Sequence, residues 1–409
     1  MTRKLADPVV AVDIDFQIPA RQCVRFTRDV VDQQIDVLWD VLRPGGDRPP
    51  RVMLVADAAV ACSSDRLNRL RLQLDAHDGV TLMLPSDGES TDGMLTIPGG
   101  EAVKNDRRWV EVLLNQIHDN HLDRRSYIVV VGGGAVLDVV GYAAAIAHRG
   151  IRLVRLPTTT LAQADSGVGV KNAINHFGKK NWIGTFAVPW AVINDAALLN
   201  TLPDREFRSG FSEAIKVSLL KSRDDFDWLS DHASRIAARD DHVSAEAIRR
   251  SCIWHLRHIT GEGSDRGDAD PFETREARPL DFGHWSAHRL EPLSDYQIQH
   301  GEAVGIGVAI DCVYSHLCHG LPWSAAERVC MSLSALGLSL DHELLGQPER
   351  LLEGLEEFRQ HLGGRLTVTM LRDIGDPVDV HHIDRAAMLE SIRRVRGWEE
   401  SAGSSTLRA

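Results

Sequence analysis

The chain has few of the features that would hold a polyanion or a membrane. Lys and Arg number 46 against 58 Asp and Glu, a formal net charge of −12, and no basic stripe offsets that balance. This argues against a nucleic-acid or anionic-membrane partner, so a bound phosphate must rely on a local cluster of cations. Apolar runs stop short of the roughly 18 residues of a membrane span, and the opening "MTRKLADPVVAVDIDF" soon meets acids, unlike a secretory signal. Cysteine is scarce: Cys23, Cys62, Cys252, Cys312, Cys318 and Cys330 form no Cys-x-x-Cys and no paired framework. They are expected to be reduced, mostly buried thiols of a cytoplasmic protein. There is no internal repeat, and the G-x-G-x-x-G fingerprint of the ordinary dinucleotide turn is missing. The end, "GWEESAGSSTLRA", reads as a loose tail.

What is present is ordinary globular material, 43% apolar and 25% charged. The length of 409 residues exceeds one comfortable core, so two domains are expected. In the first half, "RVMLVAD", "VTLML", "SYIVVVGGG", "IRLVRLP" and "WAVIND" are short apolar runs that suit strands buried on both faces. "AVLDVVGYAAAIAHRG" has helical periodicity and ends on Gly150. Strands alternating with helices imply a doubly wound, mostly parallel sheet over residues 1–200. Beyond about residue 200 strand signals nearly vanish, and an all-helical domain over 201–409 is expected, with a ligand cleft at the junction.

Three stretches carry chemistry. The strand–Gly132-Gly133-Gly134–helix turn, with Asp138 following, could present backbone amides and a helix N-terminus to a pyrophosphate. The plainer alternative is a tight turn needing positive φ. Asp57 at a strand end could bind a ribose hydroxyl or simply cap a helix. "PTTTLAQADSGVGVKNAINHFGKKNWIG" mixes hydroxyls, amides and glycines with Lys171, Lys179, Lys180 and Asn181, and Arg149 precedes it. A solvated loop could look like this, but lysines beside an amide suit a phosphorylated substrate. "RPLDFGHWSAHRLEPLSDYQIQHGEAVGIG" gathers His284, His288 and His300 near Asp281 and Glu302. His284 and His288, at i and i+4, share a helix face. Catalytic zinc commonly takes three His or Asp/Glu ligands and keeps an open position. Glu213 and Lys216 in "GFSEAIK" sit at i and i+3 on another helix, and spacing does not say which acid completes the set. The "HLCHG" histidines read as hydrogen-bonded core residues.

These motifs resemble the sugar phosphate cyclases, of which 3-dehydroquinate synthase is the best-known member. "IPGGEAVK", "GGGAVLDVVG", "RGIRLVRLPTTTLAQADSGVGVK", "GKKNWIGTF", "NTLPDREFRSGFSEAIK", "DFGHWSAH" and "HGEAVGIG" occur in the family's order from about Arg51 to about Gly320. The resemblance implies an NAD-binding α/β domain, a helical domain, one Zn2+ or Co2+ ion and a homodimer. It implies Glu213, His284 and His300 as metal ligands. Asp57, Glu101, Lys104, Gly133, Gly134, Asp138, Thr158, Thr159, Lys180, Thr201, Leu202 and Glu206 would hold NAD. Arg149, Asp165, Lys171, Asn181, Lys216 and His288 would face a small sugar phosphate; Asn181, Lys171 and Lys216 would grip its phosphate and His288 would assist proton transfer. The implied reaction is transient NAD-dependent oxidation, β-elimination of phosphate, re-reduction, ring opening and intramolecular aldol closure.

Some positions depart from the dehydroquinate synthase pattern. Where that enzyme grips a substrate carboxylate with Asn, Arg and Lys, this chain has Asp281, Ala277 and His255, with Arg278 one residue off. An acid there repels a carboxylate and would accept hydrogen bonds from hydroxyls. "RPLDFGH" also resembles the branch that cyclises sedoheptulose 7-phosphate to valiolone-type products, although that branch lacks a histidine at the His288 position. The C-terminal half resembles dehydroquinate-synthase-like proteins of ebo-type gene clusters. The expectation is a cyclase of a carboxylate-free seven-carbon ketose phosphate. The alternatives are 3-dehydroquinate synthase itself, a metal- and NAD-dependent polyol dehydrogenase, and a non-enzymatic binding module.

Overall fold

The computed structural model describes residues 12–14, 18–43, 48–85, 90–91, 93–262, 270–272, 278–361 and 364–398. Ala277 and most of the terminal tail lie outside them. The longest apolar run behaves as a buried strand must. In "YIVVVG" every residue of Tyr127–Gly132 is buried. Tyr127, Val129 and Val131 face one apolar cluster, while Ile128 and Val130 face another, as the two-residue pleat requires. That strand is β6 of a sheet containing β1 (Cys23–Thr27), β2 (Arg51–Asp57), β3 (Thr81–Met83), β4 (Ser90–Thr91), β5 (Met94–Ile97), β7 (Arg152–Pro157) and β10 (Ala191–Asp195). The order is β1-β10-β7-β6-β2-β5-β4, with β3 also pairing β2. Every pairing is parallel except β4 with β5.

The chain order reverses between β2 and β6, and ligands of open parallel sheets bind at the carboxyl ends of strands at such a switch point. Asp57 ends β2 and the glycine turn follows β6, so both stand there.

The polar stretch after β7 is not a loop. Ala162–Ser166 forms a π-turn, and β8 (Lys171–His176) pairs antiparallel with β9 (Lys179–Phe186). Phe177 and Gly178 make the two-residue connection at φ 53° and 69°, the positive-φ pair that a tight hairpin needs.

The second half packs around the His300–His319 helix, buried along most of its length. The expectation of an all-helical second half needs one correction: β11 (Val368–Asp373) and β12 (Asp376–Val380) form a hairpin. Its turn is Ile374-Gly375, with Gly375 at φ 82° and its amide donating to Leu219 O at 2.8 Å. The strand is short and its apolar side is covered by helices, so the local pattern is weak. Asp384 of the unassigned "HHIDRAAM" segment caps the Arg385–Arg396 helix.

Among the described residues no helix is long and apolar enough to cross a membrane. All six cysteines are unpaired; Cys252, Cys312 and Cys330 are buried, Cys23 is intermediate, and Cys62 and Cys318 are exposed. Burial thus holds for half of them.

Candidate active site

Three helices supply the donors of a cluster that could hold a metal, and close backbone contacts fix how they meet. Glu213 lies in the first turn of the Phe211–Lys221 helix, where the helix dipole favours an anion. His284 opens the His284–Leu293 helix and His300 opens the His300–His319 helix. A Cβ on Gly301 would lie 2.1 Å from Ser209 O, and one on Gly307 would lie 2.0 Å from Gly283 O. The backbones therefore approach as only glycine permits. Asp311, one turn past Gly307, accepts from Gly283 N and Trp285 Nε1, each at 2.8 Å. These bonds clamp both sides of His284, and burial pushes the Asp311 carboxyl up to about 7 against them.

His284 Nε2 and His300 Nε2 each lie 3.4 Å from Glu213 Oε1, and the three donors fall within 4.8 Å of one another. Ligand atoms about 2.0–2.1 Å from a tetrahedral zinc stand about 3.4 Å apart, so the spacing fits an ion. Glu213 Oε1 is buried and accepts no hydrogen bond, which a cation would correct. Of the acids left open by the sequence, Glu302 is spent elsewhere. It closes a capping box with Gln299 and takes a two-pronged bond from Arg205 at 2.7 Å. Asp281 lines the cavity but is not in the cluster.

The outer contacts orient the ligands. His284 Nδ1 meets Phe282 O at 3.1 Å and His300 Nδ1 meets Glu291 Oε1 at 2.5 Å, leaving both Nε2 atoms for an ion. Glu291 is in turn paired with Lys180. Burial would raise the Glu291 carboxyl, but His300 and Lys180 bring it down to about 2. Burial would lower His300, yet Glu213 and Glu291 raise it to about 9. Burial would raise Glu213; paired Lys216 and the two histidines hold it well below the usual range. Burial likewise opposes the Lys216 ammonium, which Glu213 and Asp165 keep charged.

A metal must displace the His300 proton. Apparent Zn2+ affinity should rise about tenfold per pH unit from roughly pH 6 and level off near pH 9, with about one proton released per ion. Competition titrations at several pH values check this; an affinity flat across that range would count against His300 as a ligand.

A cavity of about 510 Å³ opens beside the cluster. Asp138, Asp165, Lys171, Asn181, Lys216, Asp281, His284, His288 and His300 line it, together with His255. Most residues expected to face a sugar phosphate are thus brought together. Arg149 is the exception within one chain: it is exposed, at φ 62°, beyond the far end of the Gly134–Ile146 helix. Thirteen residues of helix put it roughly 20 Å from the glycine turn. His288 stands at the cavity wall with its ring centre 5.2 Å from that of His284. Its imidazole reaches solvent in the cavity while protein surrounds it, and that environment, followed by the neighbouring imidazoles, pushes its pKa down.

Most of the residues expected to hold NAD lie along the sheet's carboxyl edge. The Gly132–Gly134 turn has no positive φ, so the positive-φ alternative fails. Close packing is the reason for glycine: a Cβ on Gly134 would lie 2.9 Å from Ser166 Oγ, and one on Gly133 3.2 Å from Thr159 Cγ2. Thr158 N donates to Gly132 O at 3.0 Å. Asp57 does cap the following helix, accepting from Ala59 N at 2.9 Å, and burial raises its carboxyl. Buried Lys104 donates to Asp138 at 2.7 Å and also bonds Asn181 Oδ1, which leaves the Asn181 amide nitrogen to donate. Burial raises Asp138 against the pull of Lys104. Glu101 accepts from Asn175 at 2.9 Å. Thr201 and Leu202 follow the turn after β10; Leu202 O accepts from Arg239 at 2.6 Å. Glu206 Oε1 accepts from Gln299 at 2.8 Å while its Oε2 is buried without a partner, as a ligand donor would require. Lys180, expected among these, turns to Glu291 on the metal side.

Two supports were missed in the sequence. Arg155, fully buried in β7, donates to Gly167 O, Gly169 O and Asn172 Oδ1 at 2.6–2.9 Å and pins the turn that carries Asp165. Burial lowers its guanidinium to about 10. Glu291 was the other; a charged residue on the buried face of its helix was the available signal.

A glycine turn at the sheet's switch point and, beside the cavity, a three-donor cluster that could hold a metal define a protein that couples a nucleotide-type sheet to a metal-binding helical body. The chain belongs to the 3-dehydroquinate synthase family: the models of the 3-dehydroquinate synthase N-terminal and C-terminal regions match residues 94–209 and 210–359. It is 32% identical over 326 residues to the 3-dehydroquinate synthase of Halorhodospira halophila, covering 80% of this chain and 86% of that one. Its fold is similar to that of 2-epi-5-epi-valiolone synthase from Streptomyces hygroscopicus subsp. jinggangensis 5008, solved with NAD+ and Zn2+ (TM-score 0.80, 23% identity, 94% and 99% of the two chains). It is also similar to 2-deoxy-scyllo-inosose synthase complexed with carbaglucose-6-phosphate, NAD+ and Co2+ (TM-score 0.71, 21% identity, 91% and 96%).

Proposed function

We propose that the protein is a sugar phosphate cyclase acting on sedoheptulose 7-phosphate, releasing phosphate and forming a valiolone-type carbocycle. The observation that carries the substrate is the charge of the cavity wall. Among the described lining residues there is no arginine, and Asp138, Asp165, Asp270 and Asp281 stand with Lys171, Lys216 and five histidines, of which His300 is held charged by Glu213 and Glu291. Lys216 is itself paired with Glu213. Such a wall accommodates one anionic group, the phosphate, and Asp281 disfavours a second. Arg278, the residue that could have compensated, does not line the cavity.

Glu213, His284 and His300 would hold a divalent metal, and the sheet-edge residues from Asp57 to Glu206 would hold NAD. When bound, the two supply Lewis acidity and a reversible hydride acceptor. Lys171, Lys216 and the Asn181 amide grip the phosphate and orient the ring. Asp281 accepts hydrogen bonds from its hydroxyls, and His288 moves a proton beside the metal cluster. A polyol dehydrogenase would need no such phosphate grip.

A second reading, 3-dehydroquinate synthase acting on 3-deoxy-arabino-heptulosonate 7-phosphate, is favoured by the activity named for its relatives. Phosphate release with NAD+ and metal, measured on both substrates, separates the two. Turnover should favour sedoheptulose 7-phosphate by at least about 100-fold, since like-charge repulsion costs several kcal/mol at a desolvated site. Asp281→Asn should narrow that ratio about tenfold or more. Preference for the carboxylated substrate would overturn the substrate assignment.

A further inference from the structure

One imidazole in the cavity has no part in the scheme above. His255, on the Asp241–Thr260 helix, places Nδ1 2.7 Å from Asp165 Oδ1 on the π-turn. Both line the cavity. A carboxylate at Nδ1 fixes the imidazole's tautomer and leaves the Nε2 lone pair as the proton acceptor. Nε2 lies beside Gly169 in the cavity wall, where a Cβ would come within 3.3 Å of it, so the missing side chain leaves space next to that nitrogen. Lys216 pairs with Glu213 and is also acted on by Asp165, so its ammonium interacts with both this pair and the metal cluster. His284 and His300, by contrast, direct Nε2 at the metal position.

We propose that His255, held by Asp165, is the acid–base group for ring opening and ring closure at the anomeric carbon of the sugar phosphate. This inference rests on the cyclase reading. For phosphate to leave by β-elimination, the oxidised carbon must adjoin the ring carbon bearing the phosphomethyl group. In a six-membered hemiketal the anomeric carbon then lies directly across the ring. Groups at the metal serve the first position, so the second needs an acid–base group outside the metal cluster.

The steps balance on one borrowed proton. After phosphate has left and the ketone has been reduced again, His255 Nε2 takes the proton of the anomeric hydroxyl. The O–H electron pair forms the carbonyl as the ring C–O bond breaks, and that bond's pair passes to the ring oxygen as an enolate. The enolate's terminal carbon then adds to the same carbonyl, forming the C–C bond. The alkoxide so produced takes the proton back from His255, which ends as it began.

The test is a single-turnover experiment with the full chain, NAD+, Zn2+ and sedoheptulose 7-phosphate, following phosphate and carbocycle separately. In His255→Gln, phosphate release should stay within about threefold of wild type while carbocycle formation slows at least about 100-fold. An unsaturated, phosphate-free species should accumulate, visible by its vinylic NMR signals. Metal content and NAD+ binding should be unchanged in the variant. If the two rates fall together, or neither falls, the assignment is overturned. A wild type that releases no phosphate from either heptulose phosphate overturns the cyclase reading, and the inference with it.

Discussion

Replacing Glu213 by glutamine is expected to empty the metal site and reduce turnover by about a thousandfold or more. Glutamine keeps the volume but loses the charge, and Glu213 Oε1 is the one atom that both histidine Nε2 atoms approach at 3.4 Å. Losing an outer-shell partner costs roughly 10–100-fold in metal affinity, and losing a ligand should cost more. Forfeiting several kcal/mol of Lewis-acid stabilisation at about 1.4 kcal/mol per tenfold gives the thousandfold figure. The variant also strands Lys216, which is buried against Glu213. Breaking a buried pair costs about 3–5 kcal/mol, lessened here because Asp165 and Asp281 also face the ammonium. Glu213→Gln with Lys216→Met should therefore regain stability without regaining metal. Metal content by mass spectrometry and denaturant unfolding check both halves; full Zn2+ occupancy in Glu213→Gln would remove Glu213 from the ligand set.

Gly307→Val should destabilise the fold by about 3 kcal/mol or more and weaken metal binding with it. Its Cβ would lie 2.0 Å from Gly283 O and 2.7 Å from Ser286 Oγ, and the nearer obstacle is backbone that cannot swing aside. On the other side Gly283 is held at φ 79°, where a Cβ would meet Val308 N at 2.7 Å. Relief requires the helices bearing His284 and His300 to separate. Gly305→Ala is the control: on the same helix, its Cβ would meet nothing nearer than Leu338 Cδ1 at 3.4 Å. It should be neutral or stabilising by up to about 1 kcal/mol through helix propensity. Equal stabilities for Gly307→Val and Gly305→Ala would show that the close approach does not set the helix pair.

Much of this was legible locally. The both-faces-buried strand of Tyr127–Gly132, its glycine turn and the helix after it follow from an apolar run meeting residues without side chains. His284 and His288 share a face because of helical periodicity alone, and the paucity of basic residues confined any phosphate grip to the stretch around Lys171 and Asn181. The β8–β9 hairpin was hidden because its polar residues read as a solvated loop: β9 is largely exposed, while Lys171, Asn172 and Asn181 line the cavity. The second hairpin was hidden because its short strands are covered by helices distant in sequence.

The sequence by itself determined the two kinds of architecture, the glycine turn and the pool of candidate ligands. These depend on periodicity and on which backbone conformations each residue allows, both properties of neighbours along the chain. Only the tertiary structure decided that Glu213, and not Asp281 or Glu302, gathers with His284 and His300 into a cluster that could hold a metal. It alone decided that Glu291 orients His300, that His255 meets Asp165, and that Arg149 lies outside the cavity within one chain. Those outcomes depend on how helices cross, and the crossing is set by backbone contacts such as Gly307 on Gly283 and Gly301 on Ser209, between residues 24 and 92 positions apart. No local pattern encodes a contact of that separation; it exists only once both elements have packed on a common core.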